Sequence, residues 1–128
     1  AGPVIITTTY RVAPTDRPAF AALMEQLGRI RRREGAISVG LYVDLADPTR
    51  LVEYFVTESW EEHAQQHERG VSREEAALKT LIRELHQGPD KPVVAHLLAE
   101  HPGAAATQAV MVPGSTRLVA STAGETAG

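Results

Sequence analysis

The chain has 128 residues, 43% hydrophobic and 23% charged, with 13 basic and 16 acidic side chains for a net charge of −3. That length suits one domain with one continuous core. The charge gives no field that favours nucleic acid, and the absence of Cys excludes disulfides and thiolate metal sites. No apolar run approaches the ~18 residues needed to cross a bilayer. The start, AGPVIITTTYRV, lacks the basic and apolar regions of a signal peptide, so a cytoplasmic protein is expected.

Val4 to Val12 is β-branched and aromatic without a breaker, and reads as a strand. APTDRP stops it. Thr15 or Asp16 can cap the helix that follows, and Pro18 is tolerated in its first turn. Phe20, Leu23, Met24, Leu27 and Ile30 then recur at helical spacing, one apolar stripe on a helix over about 16–34. Arg29, Arg31, Arg32 and Arg33 crowd its last turns before Gly35. Each exposed cation there gains roughly 0.3–1 kcal/mol from the helix dipole, so the run reads as a solvated helix end.

Residues 36–46 and 51–59 flank DPTR and read as an antiparallel hairpin. Ser59 with Glu62 fits the S-x-x-E capping box that opens a helix at Trp60. Gly70 interrupts that helix, and Ser72 with Glu75 repeats the box. Leu78, Leu81, Ile82 and Leu85 supply the next apolar stripe, which Gly88 and Pro89 end. Residues 93–99, VVAHLLA, form the last strand.

The order β-α-β-β-α-β, with the second helical region broken in two, predicts an α+β, ferredoxin-like split βαβ fold over residues 1–100. Its helices would cover one face of the sheet. Apolar residues occupy both faces of the strands, so the second face needs a cover, and a homodimer packed sheet on sheet is expected. From His101 the chain turns to Ala, Gly, Ser and Thr, a tail over 101–128 that could add an edge strand.

The segments GLYVDLADPTR and VEYFVTESWEEHAQQHER, taken together, resemble the antibiotic biosynthesis monooxygenase superfamily of dimeric α+β barrels. Within it they are most like the soluble C-terminal domain of major-facilitator transporters called transmembrane secretion effectors. The likeness covers about residues 3–100. The missing initiator Met fits a processed or trimmed chain, or a domain of a longer one, and a membrane partner is expected only in the last case. The resemblance implies a cavity between sheet and helices large enough for a flat polycyclic ligand. It also implies one of three roles: oxidation of polyketide phenols with oxygen and no cofactor, binding and degradation of haem, or binding alone.

Against that resemblance, His63 and His67 project from one helical face with Trp60. They read either as a pocket wall or as hydrogen-bonded imidazoles at an interface. In the first reading a His takes a proton from a phenol while Trp60 stacks on its ring. No metal is expected, because Ala64 stands where H-E-x-x-H needs its Glu, and a third ligand would have to come from His96, His101 or a distant carboxylate. Haem is disfavoured because GVSREEAALK has no His where the family's haem users carry one. Glu53, in an apolar strand, is a candidate acid, base or orienter, or else the partner of an Arg from 29 to 33 or of Arg50. Tyr42, Tyr54 and Phe55 are candidate pocket residues. No cofactor motif is present. The expectation is therefore a homodimer with a cavity for a hydrophobic aromatic small molecule. It is either a cofactor-independent oxygenase using His63, His67 and Glu53, or a non-catalytic ligand-binding or dimerisation domain of an exporter.

Overall fold

A computed structural model of the protein describes residues 2–100. The tail at 101–128, and the edge strand expected from it, lie outside the described residues. The chain runs through β1 (Val4–Arg11), a 3-10 turn (Pro14–Asp16), α1 (Arg17–Arg33), β2 (Ser38–Val43) and β3 (Arg50–Thr57). It continues through α2 (Trp60–Arg69), α3 (Arg73–Leu85) and β4 (Val93–Leu98). The four strands form one antiparallel sheet in the order β2-β3-β1-β4, the ferredoxin-like α+β arrangement that the element order predicts.

Local signals place most boundaries. The Ser59 hydroxyl accepts the Glu62 N–H at 3.1 Å, and the Ser72 hydroxyl accepts the Glu75 N–H at 3.1 Å, so both capping serines open the helices expected of them. Gly70, at φ +83°, ends α2 in a conformation a β-carbon would strain. Asp16 behaves differently. It occupies the N-cap of α1 but makes no side-chain cap bond: its backbone is right-handed helical (φ −92°, ψ −4°) rather than the extended conformation from which a cap side chain reaches back, and its N–H donates to the Ala13 carbonyl at 2.8 Å. In the hairpin turn, Asp47 accepts from the Thr49 N–H and hydroxyl, Asp44 pairs with Arg50 at 3.1 Å, and Arg11 pairs with Asp47.

The main core lies under α1 and α3. Phe20, Met24 and Leu27 of α1 and Ile82 of α3 pack on Tyr10, Val12 and Leu51 from the sheet side. Tyr10 meets Phe20 edge-to-face at 5.1 Å. Leu81 departs from the expected stripe: α3 buries the i, i+4 row of Leu78 and Ile82, and Leu81 faces solvent. His86 closes the far end of α3. Its Nδ1 accepts the Arg11 N–H at 2.9 Å, so its Nε2 carries the proton and donates to the Asp90 carbonyl at 2.8 Å. A second cluster, Val4, Ile6 and Phe55 with Ala36 and Val39, lies at the other end of the sheet.

Strand alternation and register put Ile5, Val52, Tyr54, Tyr42, Val93 and Leu97 on the face away from the helices. Val93 is 65% exposed, Leu97 52% and Tyr42 52%. Gly40 belongs to the same face, and a β-carbon there would overlap the Tyr54 ring lying across it. At the sheet's β1–β4 border the Ala99 N–H donates to the Pro3 carbonyl at 2.9 Å, so the two ends of the fold lie side by side.

Candidate functional site

Phe55 and Ala36, from the second core cluster, supply the apolar floor of a hollow. Its walls come from the C-terminal end of α1 (Arg31, Glu34), from Phe55 and Thr57 of β3, from α2, and from the start of α3. The enclosed volume is about 110 Å³. That is smaller than the resemblance implies, and smaller than the cavity of about 150 Å³ that accommodates benzene. Glu62, His63, Gln66 and His67 reach into it from α2 and fill the space a polycycle would need.

α2 docks on the sheet through very little. His63 is its only buried residue, 8% exposed. The imidazole lies 6.1 Å from the Phe55 ring, 5.5 Å from Trp60, 5.2 Å from His67 and 5.3 Å from His96, centroid to centroid. Loss of hydration lowers the His63 pKa, and the neighbouring His67, His96 and Arg31 add repulsion to its cation. These effects favour the neutral imidazole, which offers a ring nitrogen as a hydrogen-bond acceptor. His96 was foreseen only as a possible metal ligand, yet it completes this ring cluster from β4. Its sole local signal is an imidazole in an otherwise apolar strand. No group of three or more His, Cys, Asp or Glu among the described residues is placed to hold a metal ion.

Arg31 lies apart from the rest of the arginine run. Its side chain is largely buried, its Nε donates to Glu53 Oε2 at 3.1 Å, and its guanidinium sits 4.0 Å from the Phe55 ring centroid. The pairing of Glu53 with an arginine of that run is as the sequence allowed. Burial pushes the Glu53 carboxyl above its ordinary range, although Arg31 and Lys79 pull the other way. The ion pair therefore offsets only part of the desolvation. Burial, reinforced by Glu53, also raises the Tyr10 phenol to about 12.

Three expected site residues are not brought together with the imidazoles. Glu53 bonds Arg31 and does not line the hollow, so it cannot orient His63 or His67. Tyr42 and Tyr54 belong to the opposite sheet face, because residues two apart on a strand share a side and Phe55 takes the inner one. Their rings lie 5.8 Å apart, and the Tyr54 hydroxyl meets the Ser38 hydroxyl at 3.1 Å. Trp60 is 48% exposed and stands beside the hollow, against His63 and His96. Phe55, His63 and His67 line the hollow.

The family profile described as transmembrane secretion effector matches residues 1–103. Solved structures share the fold. A putative antibiotic biosynthesis monooxygenase from Bordetella bronchiseptica is 20% identical over 77% of this chain and 98% of its own, with a TM-score of 0.63. One from Caulobacter crescentus is 17% identical over 78% and 92%, with a TM-score of 0.64. SnoaB, a cofactor-independent oxygenase from Streptomyces nogalater, is 14% identical over 79% and 96%, with a TM-score of 0.62. No curated protein sequence matches. No helix among the described residues is long and apolar enough to cross a membrane.

Two outcomes follow from the electrostatics. Without Arg31 the folded carboxyl of Glu53 rises further, and a carboxyl raised by folding contributes stability below its unfolded value that is lost as pH climbs. Arg31→Met is thus expected to cost about 3 kcal/mol at pH 7, with the deficit shrinking as pH falls toward 4.5; urea unfolding at several pH values reads this. For His63 the sign is opposite. Its lowered pKa favours the neutral form, so stability is complete above 6.5 and declines below it. Trp60, the sole tryptophan and the first residue of α2, reports that loosening by fluorescence, and His63→Gln is expected to flatten the acid-side change.

Proposed function

Because this chain belongs to the transmembrane secretion effector family, we propose that it binds a hydrophobic aromatic molecule in the hollow beneath α2, as a ligand-binding domain working with an exporter. The observation that carries this reading is His63: the one buried side chain of α2, uncharged, set in the wall of a hollow with an apolar floor. A ring entering there meets Phe55 and the Arg31 guanidinium, and a phenol on that ring has a neutral imidazole to donate to. The hollow takes the edge of a ring, and the remainder of the ligand projects through the open side.

The same pairing of a neutral His63 with a nearby Arg31 favours a second reading, cofactor-independent oxygenation. His63 would take the phenol proton, Arg31 would stabilise the phenolate, and the electron-rich anion itself would reduce oxygen. SnoaB is described as a cofactor-independent oxygenase, and its shared fold supports this reading without choosing it.

We also propose a homodimer, formed by the outer sheet face. Val93, Leu97 and Tyr42 leave apolar area there that a second copy would cover. On this reading Leu97→Arg yields a monomer with an unchanged far-ultraviolet spectrum in sedimentation runs; an unaltered dimer assigns the interface elsewhere, and a wild-type monomer ends the proposal.

For the ligand, naphthol- and anthrone-type phenols are titrated against Trp60 fluorescence while oxygen uptake is followed. Saturable binding without uptake, weakened roughly tenfold in His63→Ala, is the expected result. Turnover that disappears in His63→Ala and His67→Ala would select the oxygenase instead. Failure of every phenol to bind removes both readings.

A further inference from the structure

Arg31 and Glu53 separate the hollow from a larger groove on the other side of α1. That groove, of about 810 Å³, runs between α1 and β2. Gly28 and Val39 both line it, and a β-carbon on Gly28 would come within 3.3 Å of the Val39 side chain, so the glycine lets α1 and β2 approach closely there. Ala21, Ala22 and Leu41 supply small apolar walls.

Its two ends differ chemically. At depth lies Glu53, 5% exposed and part of the lining. One carboxylate oxygen is held by Arg31, while Oε1 is buried with no hydrogen-bond partner among the described residues. The Thr8 hydroxyl, opposite Glu53 across the β1–β3 ladder, helps hold its carboxyl down, but makes no formed bond to Oε1. A buried acceptor without a partner, on a residue that lines a groove, is the feature that a donor on a ligand would complete. At the mouth lie Arg29 and Arg32, neither in an ion pair among the described residues, with Glu25 as the sole carboxylate beside them.

From this polarity we infer that the α1–β2 groove is a second ligand site, for an apolar molecule with a hydroxyl at its inner end and a single negative charge at its outer end. Glu53 Oε1 accepts the hydroxyl, and Arg29 and Arg32 hold the anion. A bare amine is a poorer match, because Arg31, Arg29 and Arg32 outnumber Glu53 and Glu25. A hydroxyl donates to Glu53 without adding another cation beside Arg31. The site is separate from the hollow under α2 and does not depend on that hollow's function.

The test uses the full chain and two probes, 3-(4-hydroxyphenyl)propionate and its deoxy analogue 3-phenylpropionate, with backbone amide shifts as readout. The hydroxy acid is expected to move the amides of Gly28, Gly40 and Leu41, and to bind at least roughly tenfold more tightly than the deoxy acid. Arg29→Ala with Arg32→Ala is expected to weaken both probes alike. Glu53→Leu is expected to erase the preference for the hydroxyl. Should that variant fail to fold, Ala21→Trp, which fills the groove from an exposed position, is expected to abolish binding with the core intact. Equal affinity for the two acids, shifts confined to residues around His63, or no binding at millimolar concentration would each overturn the inference.

Discussion

The buried contact between Arg31 and Glu53 is the constraint around which this molecule is arranged. A carboxylate in the middle of β3 is costly, and its burial raises its pKa even with a guanidinium at 3.1 Å. The charge in contact with it, Arg31, comes from the last turns of α1. The pair thereby fixes how the helix end sits over the strand, and its guanidinium covers Phe55. It also forms the wall between the two concave regions, the hollow on one side and the α1–β2 groove on the other. Replacement by an apolar pair of equal volume is expected to be neutral or stabilising for the fold. What it would remove is charge at the border of both regions.

The two helical layers are held very differently. α1 and α3 bury continuous rows of leucine, isoleucine, methionine and phenylalanine, whereas α2 buries one imidazole. An element docked by so little is drawn from the low-stability end of a structure, where binding elements are commonly found. Its N-terminus is nonetheless sharply defined by Ser59, and its C-terminus by Gly70. α2 is therefore a well-formed helix on a weak seat, which is the arrangement a wall of a ligand site needs if a ligand is to enter.

Much of the architecture could be read from the chain because the signals are local. Capping serines, the glycine after α2 and the β-branched run of β1 each specify their element within a few residues. The strand order followed from element order through the split βαβ rule. The site was less legible, for reasons that are physical. Phe55, His63 and His67 fall into the hollow because a helical face and a strand face were read correctly. Tyr42, Tyr54 and Glu53 were grouped with them on chemical type alone, although pleat alternation puts the two tyrosines on the far face. His96 reaches the cluster only through the β1–β4 pairing, which no local pattern encodes. Nor does sequence distinguish Arg31 from its three arginine neighbours; only helical phase against β3 makes it the one turned inward.

The hydrogen bond between Ala99 and Pro3 sets where anything covalently attached to this fold must sit. Pro3 and Ala99 meet at one corner, and register places Val4 opposite Thr57, a short step from the Trp60 end of α2. A tether pulling on either end would thus act beside the weakest-seated helix. Mechanical tension in a longer polypeptide would be felt at the mouth of the hollow before it reached the α1–α3 core.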